Sequence, residues 1–187
     1  MKQIIHKLFF IWQYEKEEKW LNEMAAKGLL LTDVGFCRYA FEEGIPGAYQ
    51  YSLQMLPNGV NHPESRKFIE FVEETGAEHV GTFKNWVYFR RPASDAPFEI
   101  YSDLDNKIKH MERIYRLSGI LGSICLAAGT VNLVLGLGGD DFTSGFNIGA
   151  SIPCMLFGLI IAAGAGRMTK PLKKLKAERK LSEYEMR

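Results

Sequence analysis

The sequence is poor in the residue groupings that most chemistry needs. Its three cysteines, Cys37, Cys125 and Cys154, show no CxxC and no paired spacing. That excludes a disulfide framework and the small secreted scaffolds built on one. The four histidines, His6, His62, His79 and His110, are scattered, with no HExxH, HxH or Cys/His cluster. The common zinc motifs are thereby excluded, and no metal or cofactor is predicted. No GxSxG or comparable nucleophile signature occurs. Gly136-Leu137-Gly138-Gly139 lacks both a preceding strand and a following Lys, so it is not a phosphate loop. The first twenty residues have a short apolar run broken by His6 and Lys7, with acidic residues after it, unlike a signal peptide.

Charge is missing where it matters most. Leu117–Leu137 and Phe146–Gly166 are each 21 residues long without one ionisable Asp, Glu, Lys or Arg. As helices each spans about 31 Å, which matches a bilayer core of about 30 Å. The sequence therefore predicts two transmembrane helices joined by an external loop over 138–145. That loop contains no Lys or Arg. Lys107, Lys109, Arg113 and Arg116 precede the first span, and Arg167, Lys170, Lys173, Lys174 and Lys176 follow the second. Such asymmetry predicts a multi-pass protein of the cell membrane with both termini cytoplasmic. Asp140 and Asp141 read as a solvated loop tip in preference to a cation site. The basic residues of the 167–187 tail are expected to face anionic lipid, with Leu172, Leu175 and Leu181 marking an amphipathic helix on the inner leaflet.

A net charge of +1 conceals a division. Residues 1–102 carry 11 Lys/Arg against 14 Asp/Glu, whereas the tail carries 8 against 3. The acidic head also holds 18 of the 23 aromatic residues. Ile4–Trp12 reads as a strand. Glu15–Lys27 reads as a helix with Trp20, Leu21, Met24 and Ala25 inward and Gly28 as its C-cap. Glu15, Glu17 and Glu18 crowd its first turn, where the helix dipole and solvent account for them better than general acid–base chemistry does. Leu29–Glu42 is extended, with Gly35 as a bulge or bend. Pro46-Gly47 suits the centre of a type II turn. Ala48–Leu56 alternates as a strand, Pro63–Thr75 reads as a second helix ended by Gly76, and Ala77–Arg91 is extended.

Sliding the head along itself by 48 residues aligns Trp20 with Phe68, Leu21 with Ile69, Met24 with Val72, Gly28 with Gly76 and Phe41 with Phe89. Two βαβ halves in tandem predict an α+β fold, a ferredoxin-like βαββαβ sandwich over 1–92. The long return segments could instead each fold back as two strands, giving a different α+β sheet. A linker and a pre-membrane helix occupy 93–116, with Ser102 or Asp103 as the cap.

The string Glu17-Glu18-Lys19-Trp20-Leu21-Asn22-Glu23-Met24-Ala25-Ala26-Lys27-Gly28 is the most distinctive in the head. With Tyr39-x-Phe41-Glu42-x-Gly44-x-Pro46-Gly47-x-Tyr49-x-Tyr51 and Trp86-x-Tyr88-Phe89-Arg90-x-Pro92, it resembles the bacterial domain-of-unknown-function family 2812 over residues 7–92. Leu29 departs from the family, which more often has Trp after this Gly. Members are commonly encoded beside PadR-type regulators, so the resemblance implies a sensing or regulatory role, with a transcriptional regulator or another membrane protein as partner. It carries over no catalytic residue.

An open sheet face bearing Tyr49, Tyr51, Trp86 and Tyr88 is the candidate surface for a small apolar ligand or a protein partner. Nucleic acid is excluded, since the head is acidic and lacks the basic motif that accompanies base-stacking aromatics. In the spans, Ser118-x-x-x-Gly122, Gly145-x-x-x-Gly149 and Ala162-x-x-x-Gly166 allow close helix approach, within the hairpin or in a homodimer. The expectation is a non-enzymatic, membrane-anchored sensory or regulatory protein. The alternative is a membrane enzyme or transport accessory acting on lipid-like or drug-like substrates, which requires convergent ionisable groups.

Overall fold

The computed structural model describes residues 2–94, 96–101, 103–139 and 141–185, with side chains described as far as Ser182. Ser102 and Asp140, the candidate cap and loop-tip residues, lie outside the described residues. The chain divides into two compact units, 1–106 and 107–187.

The first unit is α+β. In chain order it contains β1 (Gln3–His6), α1 (Tyr14–Ala26), β2 (Leu29–Gly35), β3 (Arg38–Glu43), β4 (Tyr49–Met55), α2 (Pro63–Glu74), β5 (Glu78–Phe83) and β6 (Trp86–Pro92). The expected single four-stranded sheet is replaced by two antiparallel three-stranded sheets, ordered β1-β3-β2 and β4-β6-β5. The physical reason is a pair of tight turns. Cys37 and Lys84 adopt positive φ, of 51° and 52°, and each reverses a return segment, so that the segments fold back as two strands in the manner of the alternative sheet. The unit is thus a duplicated βαββ. The 48-residue offset holds down to the ladder irregularities, which fall between Leu31 and Asp33 in one half and between His79 and Gly81 in the other. β1 is shorter than expected: it ends at His6, and Ile11–Gln13 forms one turn of 3-10 helix.

Two clusters form the core of this unit. Trp20, Leu21, Met24, Leu31, Phe41, Tyr51, Leu53 and Tyr88 are buried together beneath α1. Leu56, Ile69, Val72, Val87, Phe89 and Phe98 are buried together beneath α2. Phe98 belongs to the stretch read as linker, yet it is 9% exposed, with the Arg91 guanidinium 4.7 Å from its ring centroid. The two sheets approach along β2 and β5, where a Cβ added to Gly81 would lie 3.2 Å from Val34 Cγ1.

The turns that close the first half depend on glycine. Gly28 leaves α1 at φ +80°, and its N–H donates to the Ala25 carbonyl. The Gly44 N–H donates to the Gly28 carbonyl and the Gly47 N–H to that of Ala25. Gly47, at φ +71°, takes the position of a type II turn that requires it, closed by the Ala48 N–H on the Ile45 carbonyl.

The second unit is a helical hairpin built from α3 (Leu104–Leu137) and α4 (Phe142–Glu185). At 1.5 Å per residue the helices run about 51 and 66 Å, longer than a bilayer core. Both contain windows of mean hydropathy 2.0, and only 17% and 28% of those windows are buried. A soluble core helix would be mostly buried, so these apolar faces fit a membrane hairpin. Asp103 caps α3 by accepting from the Asn106 N–H at 2.7 Å. Asp141 accepts the Ser144 N–H and the Thr143 and Ser144 hydroxyls, so α4 starts at Phe142, earlier than the expected Phe146. Those donors hold the Asp141 carboxyl down at about 2. The tail is not a separate interfacial helix: α4 continues through it, with Met168 and Leu172 buried and Lys176 paired to Glu112 at 2.6 Å.

Candidate functional site

The site grows from the inward face of α1. Glu17, Leu21 and Met24 follow one another at helical spacing, so Glu17 points inward with the core and not outward with Glu15. It is 9% exposed. Its Oε1 accepts two hydroxyls, from Tyr39 of β3 at 2.7 Å and from Tyr88 of β6 at 2.6 Å. One tyrosine comes from each half of the duplication, so the carboxylate ties the halves together. No described residue donates to its Oε2 or forms an ion pair with it. Burial pushes the Glu17 pKa up, and the two tyrosine hydroxyls oppose that push. Burial, reinforced by the neighbouring carboxylate, holds the protons on Tyr39 and Tyr88.

Glu17, Tyr39 and Tyr88 border a cavity of about 170 Å³. The rest of its wall is largely aromatic, with Phe9, Phe10, Phe36, Phe83 and Trp86. Cys37 reaches it from the β2–β3 turn, and the exposed Lys7 and Lys84 stand beside it. Lys7 Nζ lies 4.5 Å from the Trp20 centroid and 5.1 Å from that of Phe9. Trp20 in turn meets Tyr39 edge-on at 4.9 Å.

A second, wider cavity of about 440 Å³ lies beside α1 and β4, bordered by Glu18, Asn22, Tyr49, Gln50, Tyr51 and Phe98 among others. Two of its polar side chains, Asn22 and Glu18, are already engaged in structure, whereas Gln50 Oε1 is buried without a hydrogen-bond partner among the described residues. Asn22 accepts from the Tyr51 N–H at 2.8 Å and donates to the Tyr51 carbonyl at 3.0 Å. Glu18 Oε2 accepts the Leu53 N–H and the Ser52 hydroxyl, both at 2.9 Å. Together these side chains serve as a partner for the free edge of β4, which explains why that edge is not left open.

The candidate surface Tyr49, Tyr51, Trp86 and Tyr88 is accordingly divided. Tyr51 and Tyr88 are core residues, 1% and 3% exposed. Trp86 and Tyr88 border the Glu17 cavity, Tyr49 and Tyr51 the wider one. The Arg90 guanidinium stacks 4.6 Å over Tyr49. Glu17 itself was legible only as a member of an acidic first turn. The overlooked signal is its spacing of four and seven residues from Leu21 and Met24.

Of the small residues in the spans, Ser118 is fully buried and Gly122 meets Ile161. Gly145, Gly149 and Gly166 face open space and Ala162 is exposed, so the hairpin does not pack on them. Gly129, Gly136 and Gly158 do this instead: a Cβ at Gly129 would meet Met155 N at 3.0 Å and one at Gly158 would meet Leu126 N at 3.1 Å. Arg167, Lys170, Lys173, Lys174 and Lys176 are all exposed, with Lys174 3.7 Å from Glu178. Among the described residues no group of three or more metal-ligating side chains converges.

Comparison with known proteins places one family model on the chain, over residues 13–122, described as a protein of unknown function (DUF2812). No curated protein and no solved structure matches. The matched segment covers α1 through the start of the hairpin and contains all three residues that meet at the Glu17 carboxylate.

Proposed function

The chain belongs to the DUF2812 family, and from the site which that segment builds we propose a membrane-anchored sensory or regulatory protein whose head binds a small, largely apolar ligand. The observation that carries this reading is the aromatic cavity with Glu17 in its wall. A wall devoted only to packing has no use for a carboxylate there, since a buried charge without a counter-ion is destabilising. In this reading the ligand joins the two halves of the duplication through Tyr39 and Tyr88. The hairpin holds the head at the inner face of the cell membrane with both termini cytoplasmic. Arg167, Lys170, Lys173 and Lys174 contact anionic lipid there. The head's partner is a regulator or another membrane protein.

Cys37 borders the cavity and supplies a reporter. Maleimide labelling of Cys37 in the full chain, read by mass spectrometry in nonionic detergent, should slow in the presence of a one-ring aromatic compound that occupies the cavity. If no compound in a broad aromatic panel protects Cys37 or changes tryptophan fluorescence, the reading fails. The alternative of a membrane enzyme is favoured by one observation, the convergence of Glu17, Tyr39, Tyr88 and Cys37 on one space. Recovery of the bound compound separates the two: unchanged material supports binding, whereas a converted product supports catalysis.

A further inference from the structure

The chemistry of the ligand follows from the wall of the cavity, on the reading that this cavity is the binding site. Glu17 is a buried carboxylate held by two hydroxyls and, among the described residues, by no cation. Its position in the first turn of α1 favours the ionised form, yet a buried anion without a counter-charge remains costly. Phe9, Phe10, Phe36, Phe83 and Trp86 line the same cavity, and an aromatic ring attracts a cation placed over its face within about 6 Å. The chain already uses this attraction, because Lys7 Nζ rests over Trp20 and Phe9.

We infer that the cavity is a receptor site for a lipophilic organic cation, a small amine or quaternary ammonium whose charged head meets Glu17 and whose apolar body lies on the aromatic wall. The cation supplies the counter-charge that Glu17 lacks, and it relieves the same penalty of burial that raises the Glu17 pKa. The space of about 170 Å³ sets the size. Cavities of about 150 Å³ hold benzene, so a one-ring compound fits. Lys7 and Lys84 do not reverse the sign. Both are exposed, where water weakens their field, while Glu17 acts from a buried position with an effective dielectric constant nearer about 20 than about 80. Their effect is to oppose entry of the cation weakly, which provides a second test of sign.

The full-length protein in nonionic detergent, with protein-free micelles as blank, is titrated with phenyltrimethylammonium, with its uncharged isostere tert-butylbenzene and with benzenesulfonate. Tryptophan fluorescence is the readout, since Trp12, Trp20 and Trp86 all lie in the head. Phenyltrimethylammonium should bind about tenfold more tightly than tert-butylbenzene, and benzenesulfonate more weakly than either. Glu17→Gln should cost the cation about tenfold and so remove its advantage over tert-butylbenzene, while Lys7→Met should tighten the cation about twofold. Equal affinity for the cation and its isostere, or preference for benzenesulfonate, overturns the cation assignment and leaves the ligand-binding reading intact. Failure of all three compounds to bind or to protect Cys37 overturns the cation assignment, and failure of the broad aromatic panel as well overturns the ligand-binding reading. The comparison within the wild-type protein decides the question even if Glu17→Gln does not fold.

Discussion

Glu17 and Gly28 show how much one residue decides here. The Glu17 carboxyl holds its proton more firmly in the folded head than its ordinary value of 4.5. An acid whose folded pKa is raised favours the native state at low pH, so its contribution falls as pH rises from about 4.5 through the folded value. The head should therefore gain stability as pH is lowered from 7 towards 5. Glu17→Gln should flatten that gain in denaturant unfolding followed by tryptophan fluorescence. Glu18 is raised by burial as well, so the flattening is partial and becomes larger in the Glu17→Gln, Glu18→Gln double variant. A steeper pH dependence in the variant would contradict the assignment. Gly28 has two independent constraints, a φ of +80° and a Cβ position 2.8 Å from the Gly44 carbonyl oxygen. Gly28→Ala should destabilise the head by about 1–3 kcal/mol from backbone strain alone. Gly59→Ala, with open space around its Cβ and no positive φ, is the control and should change stability little.

At the scale of elements, α1 is both a core helix and a cover for the edge of β4. Asn22 satisfies both backbone groups of Tyr51, a pairing that leaves no trace in periodicity because Asn reads as an exposed helix residue. Asn22→Ala should cost about 1–3 kcal/mol, since it leaves a partly buried N–H and carbonyl without partners, whereas exposed Lys19→Ala on the same helix should be near neutral. Thermal unfolding of the head gives the comparison. In the hairpin the relevant spacing is seven, not four. Gly122, Gly129 and Gly136 fall on the α4-facing side of α3, while Gly145 and Gly149 face away. Gly129→Leu should loosen the hairpin by about 1–3 kcal/mol through overpacking against the Met155 backbone, and Gly149→Leu should not. Loss of helical circular dichroism on heating in detergent would rank them, and equal melting of the two variants would refute this interface.

For the whole molecule, the boundary of the head is the testable quantity. A fragment ending at residue 97 lacks Phe98, which closes the core beneath α2. A fragment of residues 1–101 should be more stable than one of 1–97 by about 1.5–3 kcal/mol, the worth of burying one Phe. Equal denaturation midpoints would show that Phe98 contributes nothing. Topology has its own measurement: reporters fused at either terminus should give a cytoplasmic signal and one inserted near Gly139 an external signal. An external signal from either terminus would overturn the proposed orientation.

Much of this was determined by local chemistry and was legible in the chain itself. The two uncharged runs, the Lys/Arg asymmetry, the glycines ending α1 and α2 and the 48-residue repeat are each written in neighbouring residues or in a simple period. The family resemblance rests on the same kind of local strings. Tertiary structure alone decided the rest. Whether a return segment runs on or doubles back depended on Cys37 and Lys84, two non-glycine residues in a left-handed conformation that their identities do not announce. The cavity depended on side chains from α1, β3 and β6 meeting across 22 and 71 residues of chain. No period or motif encodes that meeting, because the partners of a buried carboxylate are chosen by packing and hydrogen bonding in three dimensions.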